Sequence, residues 1–221
     1  MISPQTTDPA VIRGLLLAVI SCLLTGCISV FPKSDPAQLY RFGATEPQVH
    51  ETASAEQVFN VFLGHTGFDR AAAGARILTV TGTQAAYIKG ARWVTSAEAL
   101  FDSALLHAFD ADQGPARLVS SGDIARTDYM LKLDVRTFEA RYSDGQAAAP
   151  TIVVEVRATL ARTSDQTVVA DHGFKATLTA SDNRVSAIAQ AFDQAVSQVL
   201  GNLVVWVNSR GQDSGTSMAS Q

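Results

Sequence analysis

The chain has 221 residues, of which 47% are hydrophobic and 17% charged, and 17 Lys plus Arg against 21 Asp plus Glu leave a net charge of −4. That composition belongs to a globular chain and excludes a disordered one. There is no basic excess for nucleic acid and no polybasic segment to grip an anionic lipid surface.

Residues 14–30, GLLLAVISCLLTGCISV, contain both cysteines, Cys22 and Cys27. The apolar run from Gly14 to Leu24 is too short for a spanning helix, which needs roughly 20 apolar residues. Arg13 ahead of it and the small residues Thr25 and Gly26 behind it complete the pattern of a secretory signal. Leu24-Thr25-Gly26-Cys27 resembles the bacterial lipobox. That resemblance implies cleavage between Gly26 and Cys27, with diacylglycerol and fatty acyl chains such as palmitate on Cys27. The n-region carries Asp8, Pro9 and a single basic side chain, so initiation near Val11 is an alternative start. Cys22 leaves with the signal and Cys27 is acylated, so no disulfide forms and the fold stands on its core.

The domain plan expected is a signal over 1–26, a lipid-anchored tether over 27–37, one domain over 38–208 and a disordered polar tail over 209–221. Residues 28–37 hold two prolines and little periodicity, as a tether does. Leu39 to Phe42 reads as a strand closed by Gly43, and residues 44–55 as a loop. Val58 to Leu63 is a near-continuous apolar run, a strand buried on both faces. Gly64 to Gly74 reads as loop, Ile77 to Val80 as a strand, and Ala86 to Ile88 as another after a turn at Gly82. Thr95 and Glu98 have capping-box spacing at the start of a helix that runs to Ala111. Its apolar stripe is Leu100, Phe101, Ala104, Leu105, Ala108 and Phe109.

Gln113-Gly114-Pro115 breaks the chain before a brief strand at Ala116 to Val119. Tyr129 to Arg136 and Ile152 to Leu160 then alternate with period two, and a turn at Ser164-Asp165-Gln166 leads into Thr167 to Thr179. These three read as an antiparallel meander. A second helix runs from about Asn183 to Asn208, capped by Ser181 or Asp182. The fold class expected is α/β: a single domain with a mixed β-sheet, an antiparallel meander and two amphipathic helices.

Motifs for chemistry are sparse. There is no P-loop and no nucleophile elbow. His107, Asp110 and Asp112 near a helix end could imitate metal ligands, but polar residues closing a helix explain them better. Ser120-Ser121-Gly122-Asp123 offers hydroxyls and a carboxylate in what reads as a turn. Asp134 and Glu155 fall on the polar phase of their strands, among Lys132, Arg136 and Arg157, as on a solvated sheet face. Trp93 and Trp206 read as packing residues. His50, His65 and His172 join no motif. No cofactor is implied, and nothing in the sequence points to an enzyme.

The segment Ala85-Ala86-Tyr87-Ile88-Lys89-Gly90-Ala91-Arg92-Trp93, followed by a capped helix, resembles the ABC-type transport auxiliary lipoproteins, among them the paraquat-inducible protein C-like lipoproteins. The lipobox, the Leu39-Tyr40-Arg41-Phe42 strand, the meander over Tyr129 to Leu178 and a long last helix ending near Trp206 agree in order and spacing. The resemblance implies a fold similar to the N-terminal domain of the translocation protein TolB. It implies a non-catalytic subunit of an MCE (mammalian cell entry) transport system, anchored by its N-terminal lipid. Its partners would be an MCE-domain substrate-binding protein and, through it, a permease and an ATPase on separate chains. The cargo would be lipids or other hydrophobic molecules, and self-association into a homo-oligomer is left open. Ile28, where an inner-membrane retention Asp would stand, favours the outer membrane, facing the periplasm. The competing reading is an envelope-assembly lipoprotein that regulates a cell-wall synthase or an outer-membrane assembly machine.

Overall fold

The computed structural model describes residues 36–44, 58–119 and 126–219, and side chains as far as Gln212. Residues from Ala37 onward gather into one unit. Among the described residues the order is β1 (Gln38–Tyr40), β2 (Phe59–Phe68), β3 (Arg76–Thr81), β4 (Gln84–Trp93), α1 (Ala97–Ala111), β5 (Ala116–Val119), β6 (Tyr129–Arg141), β7 (Thr151–Arg162), β8 (Val168–Thr179) and α2 (Val185–Ala219). They form the expected single domain, a mixed eight-stranded sheet with two helices.

β6 organises the sheet. One of its edges pairs antiparallel with β7 along nearly its whole length, and β7 pairs antiparallel with β8, which is the expected meander. Its other edge is shared by two parallel neighbours, β2 beside Tyr129 to Val135 and β3 beside Ala140 and Arg141. β5 extends the β2 side in parallel. β4 pairs antiparallel with β3, and β1 closes that side parallel to β4.

Bulges set which side chains point inward. Tyr129, Leu131, Leu133 and Val135 are buried at odd positions; a register shift between Val135 and Thr137 then moves the buried phase to Phe138 and Ala140. One extra residue in a strand reverses its faces, and that reversal brings Phe138 into the core. A shift between Leu63 and Thr66 in β2 likewise brings Thr66 and Phe68 in line with Leu133 and Val135. Gly64 to Phe68 is therefore strand, where the sequence reads as loop. β4 is also longer than Ala86 to Ile88, because a shift between its pairings with Leu78 and Arg76 carries it on to Trp93.

Phe138 lies at the centre of an aromatic cluster. Ring centroids of Phe42, Phe68, Trp93 and Phe192 stand 5.2, 5.5, 6.3 and 4.8 Å from its own. Phe68 in turn meets Phe101 edge-on at 6.0 Å. Four strands or their flanks and both helices thus each contribute one ring. α1 buries Phe101, Ala104, Leu105, Ala108 and Phe109, as its stripe predicts. α2 buries Ile188, Phe192, Val196, Val199, Leu200, Leu203 and Val207, and it packs against β7 and β8 and alongside α1.

The helix ends differ from expectation. Ser96, not Thr95, caps α1, its Oγ accepting from the Ala99 N–H at 3.2 Å. At α2 the Ile188 N–H donates to the Arg184 carbonyl, so the cap position falls on Arg184 rather than on Ser181 or Asp182. α2 also continues past Asn208 to Ala219, where a disordered tail was expected. Two contacts fix the continuation. The Tyr129 hydroxyl donates to the Gly211 carbonyl at 3.0 Å, and a Cβ at Gly211 would run into the Phe59 ring. The helix therefore needs a residue without a side chain at that crossing, and polar composition alone hides it.

Replacing Phe138 by Ala is expected to lower unfolding stability by roughly 3–5 kcal/mol. The same change at Val168, 59% exposed, is expected to stay within about 0.5 kcal/mol. Urea unfolding followed by tryptophan fluorescence measures both.

Candidate functional site

β1 ends at Tyr40, and Phe42 turns inward while Gly43 crosses over the helices. Gly43 has φ +77°, and a Cβ there would lie 2.6 Å from the Ala104 Cβ. Its N–H donates to Asp193 Oδ1 at 2.6 Å, and the Ala44 N–H donates to the same oxygen at 3.0 Å. Asp193 of α2 thereby holds the chain after β1 across the groove between α1 and α2. No sequence signal marked it, since an Asp on the wet side of an amphipathic helix is ordinary.

This crossing borders a cleft of about 400 Å³. Buried Ala104, Ala108, Val196 and Leu200 form its floor, while exposed Arg41, His107 and Asp110 stand at its rim. An apolar floor with a few polar groups at the mouth suits a short apolar group with a polar end. Ser197 also lines it, and among the described residues no hydrogen bond links Ser197, His107 and Asp110.

The fold separates the residues that resembled metal ligands. Asp112 is turned away from His107 and Asp110; its Oδ2 accepts from the Gly114 N–H at 2.8 Å and from Asn208 Nδ2 at 2.7 Å. The other end of Asn208, only 2% exposed, accepts from the Ala116 N–H at 3.0 Å. Asp112 and Asn208 therefore fasten α2 to the α1–β5 turn, an arrangement the sequence did not reveal. Among the described residues no three His, Cys, Asp or Glu side chains are placed to hold a metal ion.

Asp134 and Glu155 do not face each other. Asp134 pairs in register with Arg157 and binds Arg136 at 3.0 Å, while Glu155 lies opposite Lys175 at 3.8 Å. They belong to a solvated face, as their phase implied. On it the Thr159 hydroxyl, and after it Arg157, hold the Asp171 carboxyl below its ordinary range. Trp93 is 1% exposed and lies in the core. Trp206 is half-buried, near-parallel to the His172 ring at 6.3 Å and edge-on to Phe174 at 5.8 Å. His65 is exposed on β2. Gly26, Cys27, Cys22, His50 and Ser120-Ser121-Gly122-Asp123 lie outside the described residues. No described helix is long and apolar enough to cross a membrane.

Among the described residues the fold is a mixed eight-stranded sheet with two helices and a cleft between them. The chain belongs to the ABC-type transport auxiliary lipoprotein component family, whose model matches residues 40–204. Membership makes it an auxiliary component of an ABC transport system and places it with lipoproteins of the cell envelope. Among solved structures, protein XCC0632 of Xanthomonas campestris, of family DUF330, is 28% identical, covering 81% of this chain and 99% of its own, with a TM-score of 0.72. An uncharacterized protein that is 14% identical covers 78% of this chain and 99% of its own, at a TM-score of 0.59, and shares the fold. Comparison with curated proteins returns no match.

One titratable group is under strain in this layer. Burial pushes the Asp102 carboxyl above its ordinary value of 3.8, and Glu98 adds to the rise, while the nearby Thr66 hydroxyl and the charge of His65 oppose it. A carboxyl raised in the folded state favours its protonated form there. Its penalty is absent below the unfolded value and grows as pH rises through the folded one. Asp102→Asn is therefore expected to be more stable than the parent at neutral pH, with the advantage vanishing below about pH 3.5, under both carboxylate values. Denaturant unfolding of both proteins across that pH range measures the difference.

Proposed function

We propose that the protein is a non-catalytic, lipid-anchored subunit of an MCE-type ABC transporter that moves lipids or other hydrophobic molecules across the envelope. The observation that carries this reading is the family match over residues 40–204, joined to the lipobox at Leu24 to Cys27. Signal cleavage falls between Gly26 and Cys27, and Cys27 carries the diacylglycerol as the new N-terminus. Residues up to 37 tether the domain, and the anchor sits in the outer membrane, facing the periplasm. There the domain engages the MCE-domain substrate-binding protein, which in turn meets the permease and the ATPase. Its part is to bridge, not to catalyse. Ordered rings locked around Phe138 suit a rigid connector, because a bridging element passes on position only if its core does not repack.

Cys27→Ala tests the anchor. The variant is expected to lose acyl-chain mass, to leave the membrane fraction and to fail to restore transport in a strain lacking the gene. Full transport from an unlipidated, soluble variant would contradict anchoring as the working principle.

A further inference from the structure

Charge is distributed unevenly over this domain. All six ion pairs among the described residues lie on β6, β7 and β8, the turn joining β7 to β8, or the entry to α2. The opposite side of the sheet is different. β1, β3 and β4 contain Arg76, Lys89 and Arg92 and not one Asp or Glu. Residues 70–97 as a whole hold four cations and no carboxylate.

The register concentrates this charge. Arg76 on β3 is the direct partner of Arg92 on β4, and Arg92 is the partner of Leu39 on β1. The three stand in one row across the sheet edge, all exposed. Like charges directly opposite across a strand pair destabilise a sheet, and among the described residues no ion pair involves either arginine. The Arg76 guanidinium rests 3.8 Å from the Tyr87 ring centroid, which holds the cation in place without neutralising it. Leu39 is 54% exposed, and Val94, whose N–H donates to the Tyr40 carbonyl, is 55% exposed. Two apolar side chains thus flank a cationic row that makes no ion pair among the described residues.

The chain's route adds the second argument. β1 begins at Gln38 on this same edge, and Lys89 stands two residues before Ala91, the partner of Gln38. Fully extended, the segment from Cys27 to Gln38 reaches at most about 40 Å, so an acylated Cys27 keeps β1 close to the bilayer. We infer that the exposed row of Arg76, Arg92 and Leu39, with Lys89 beside it, is a docking surface for the anionic phospholipid headgroups of the membrane that holds the anchor. This rests on the Cys27 anchor proposed above. Arg and Lys attract lipid phosphates, Leu39 and Val94 enter the headgroup layer, and the domain is held in one orientation instead of swinging on its tether. The sequence contained no polybasic run because these cations are spread over β3 and β4 and meet only through register.

The test uses the full lipidated chain in vesicles of phosphatidylcholine alone or with 30% phosphatidylglycerol. Once Cys27 is acylated, a polarity-sensitive dye on Leu39→Cys labels a single thiol, and Val168→Cys provides a second reporter. The Leu39 dye is expected to shift to the blue only with phosphatidylglycerol and to return in 0.5 M salt, while the Val168 dye stays unchanged. Arg76→Glu with Arg92→Glu is expected to abolish the shift, and the Gln pair to weaken it by about fivefold per cation removed. A shift equal in neutral vesicles, a shift indifferent to both variant pairs, or a shift only at Val168 would overturn the surface. An absent shift in every vesicle would also overturn it, leaving the row to an acidic protein partner. Flotation separates this from the anchor. If the chain floats with neither vesicle, the anchor fails, and the surface then stands only if the unanchored chain still sediments with phosphatidylglycerol vesicles.

Discussion

The packing around Phe138 is the constraint on which the rest of the domain depends. β6 is alternating and would, if continued in phase, aim Phe138 at solvent. The bulge after Val135 turns it inward, where Phe42, Phe68, Trp93 and Phe192 enclose it. Each of those rings comes from a different element, so removing the central ring loosens β2, β4, the chain after β1 and α2 together. Edge-to-face and tilted ring pairs have preferred geometries, and a cluster of this kind selects one arrangement of layers. Hydrophobic area alone would tolerate several.

From that arrangement follow two unlike faces. α1 and α2 cover one side, and their junction is fastened by polar contacts of small residues: Asp193 over Gly43 and Ala44, and Asn208 between Asp112 and Ala116. The other side stays wet. On the meander its charges are matched in pairs across strands, while the β1–β4–β3 edge carries cations alone. A single fold thus presents a neutralised surface at one edge and a charged one at the other, with β1 at the charged edge.

Much of this was legible in the sequence. The meander, both helices, the brief β5 strand and the aromatic and aliphatic stripes follow from periodicity, because period two and period 3.6 dictate which residues share a face. What stayed hidden has one recurrent cause. Gly64 to Phe68, the second half of β4 and the run from Thr137 to Arg141 each lie at or beyond a register shift, where the alternation that marks a strand breaks off. The last turns of α2 were hidden for another reason. Gly211 serves a close crossing with Phe59, and a glycine in a polar stretch looks like the end of a helix. Of the candidate site, the family features were readable from order and spacing. The cleft, the Asp112–Asn208 fastening and the opposed arginines were not, since each joins residues far apart in the chain.

The proposal of a connector held at the envelope beside an MCE-domain protein rests on the family assignment over residues 40–204 and on the lipobox. The most direct test of that claim is in-cell photocrosslinking, with the crosslinker on exposed positions of the domain and mass spectrometry of the adducts. The account predicts that the principal adduct is an MCE-domain protein. A cell-wall synthase or an outer-membrane assembly protein in its place, with no MCE-domain adduct at any position, would contradict it.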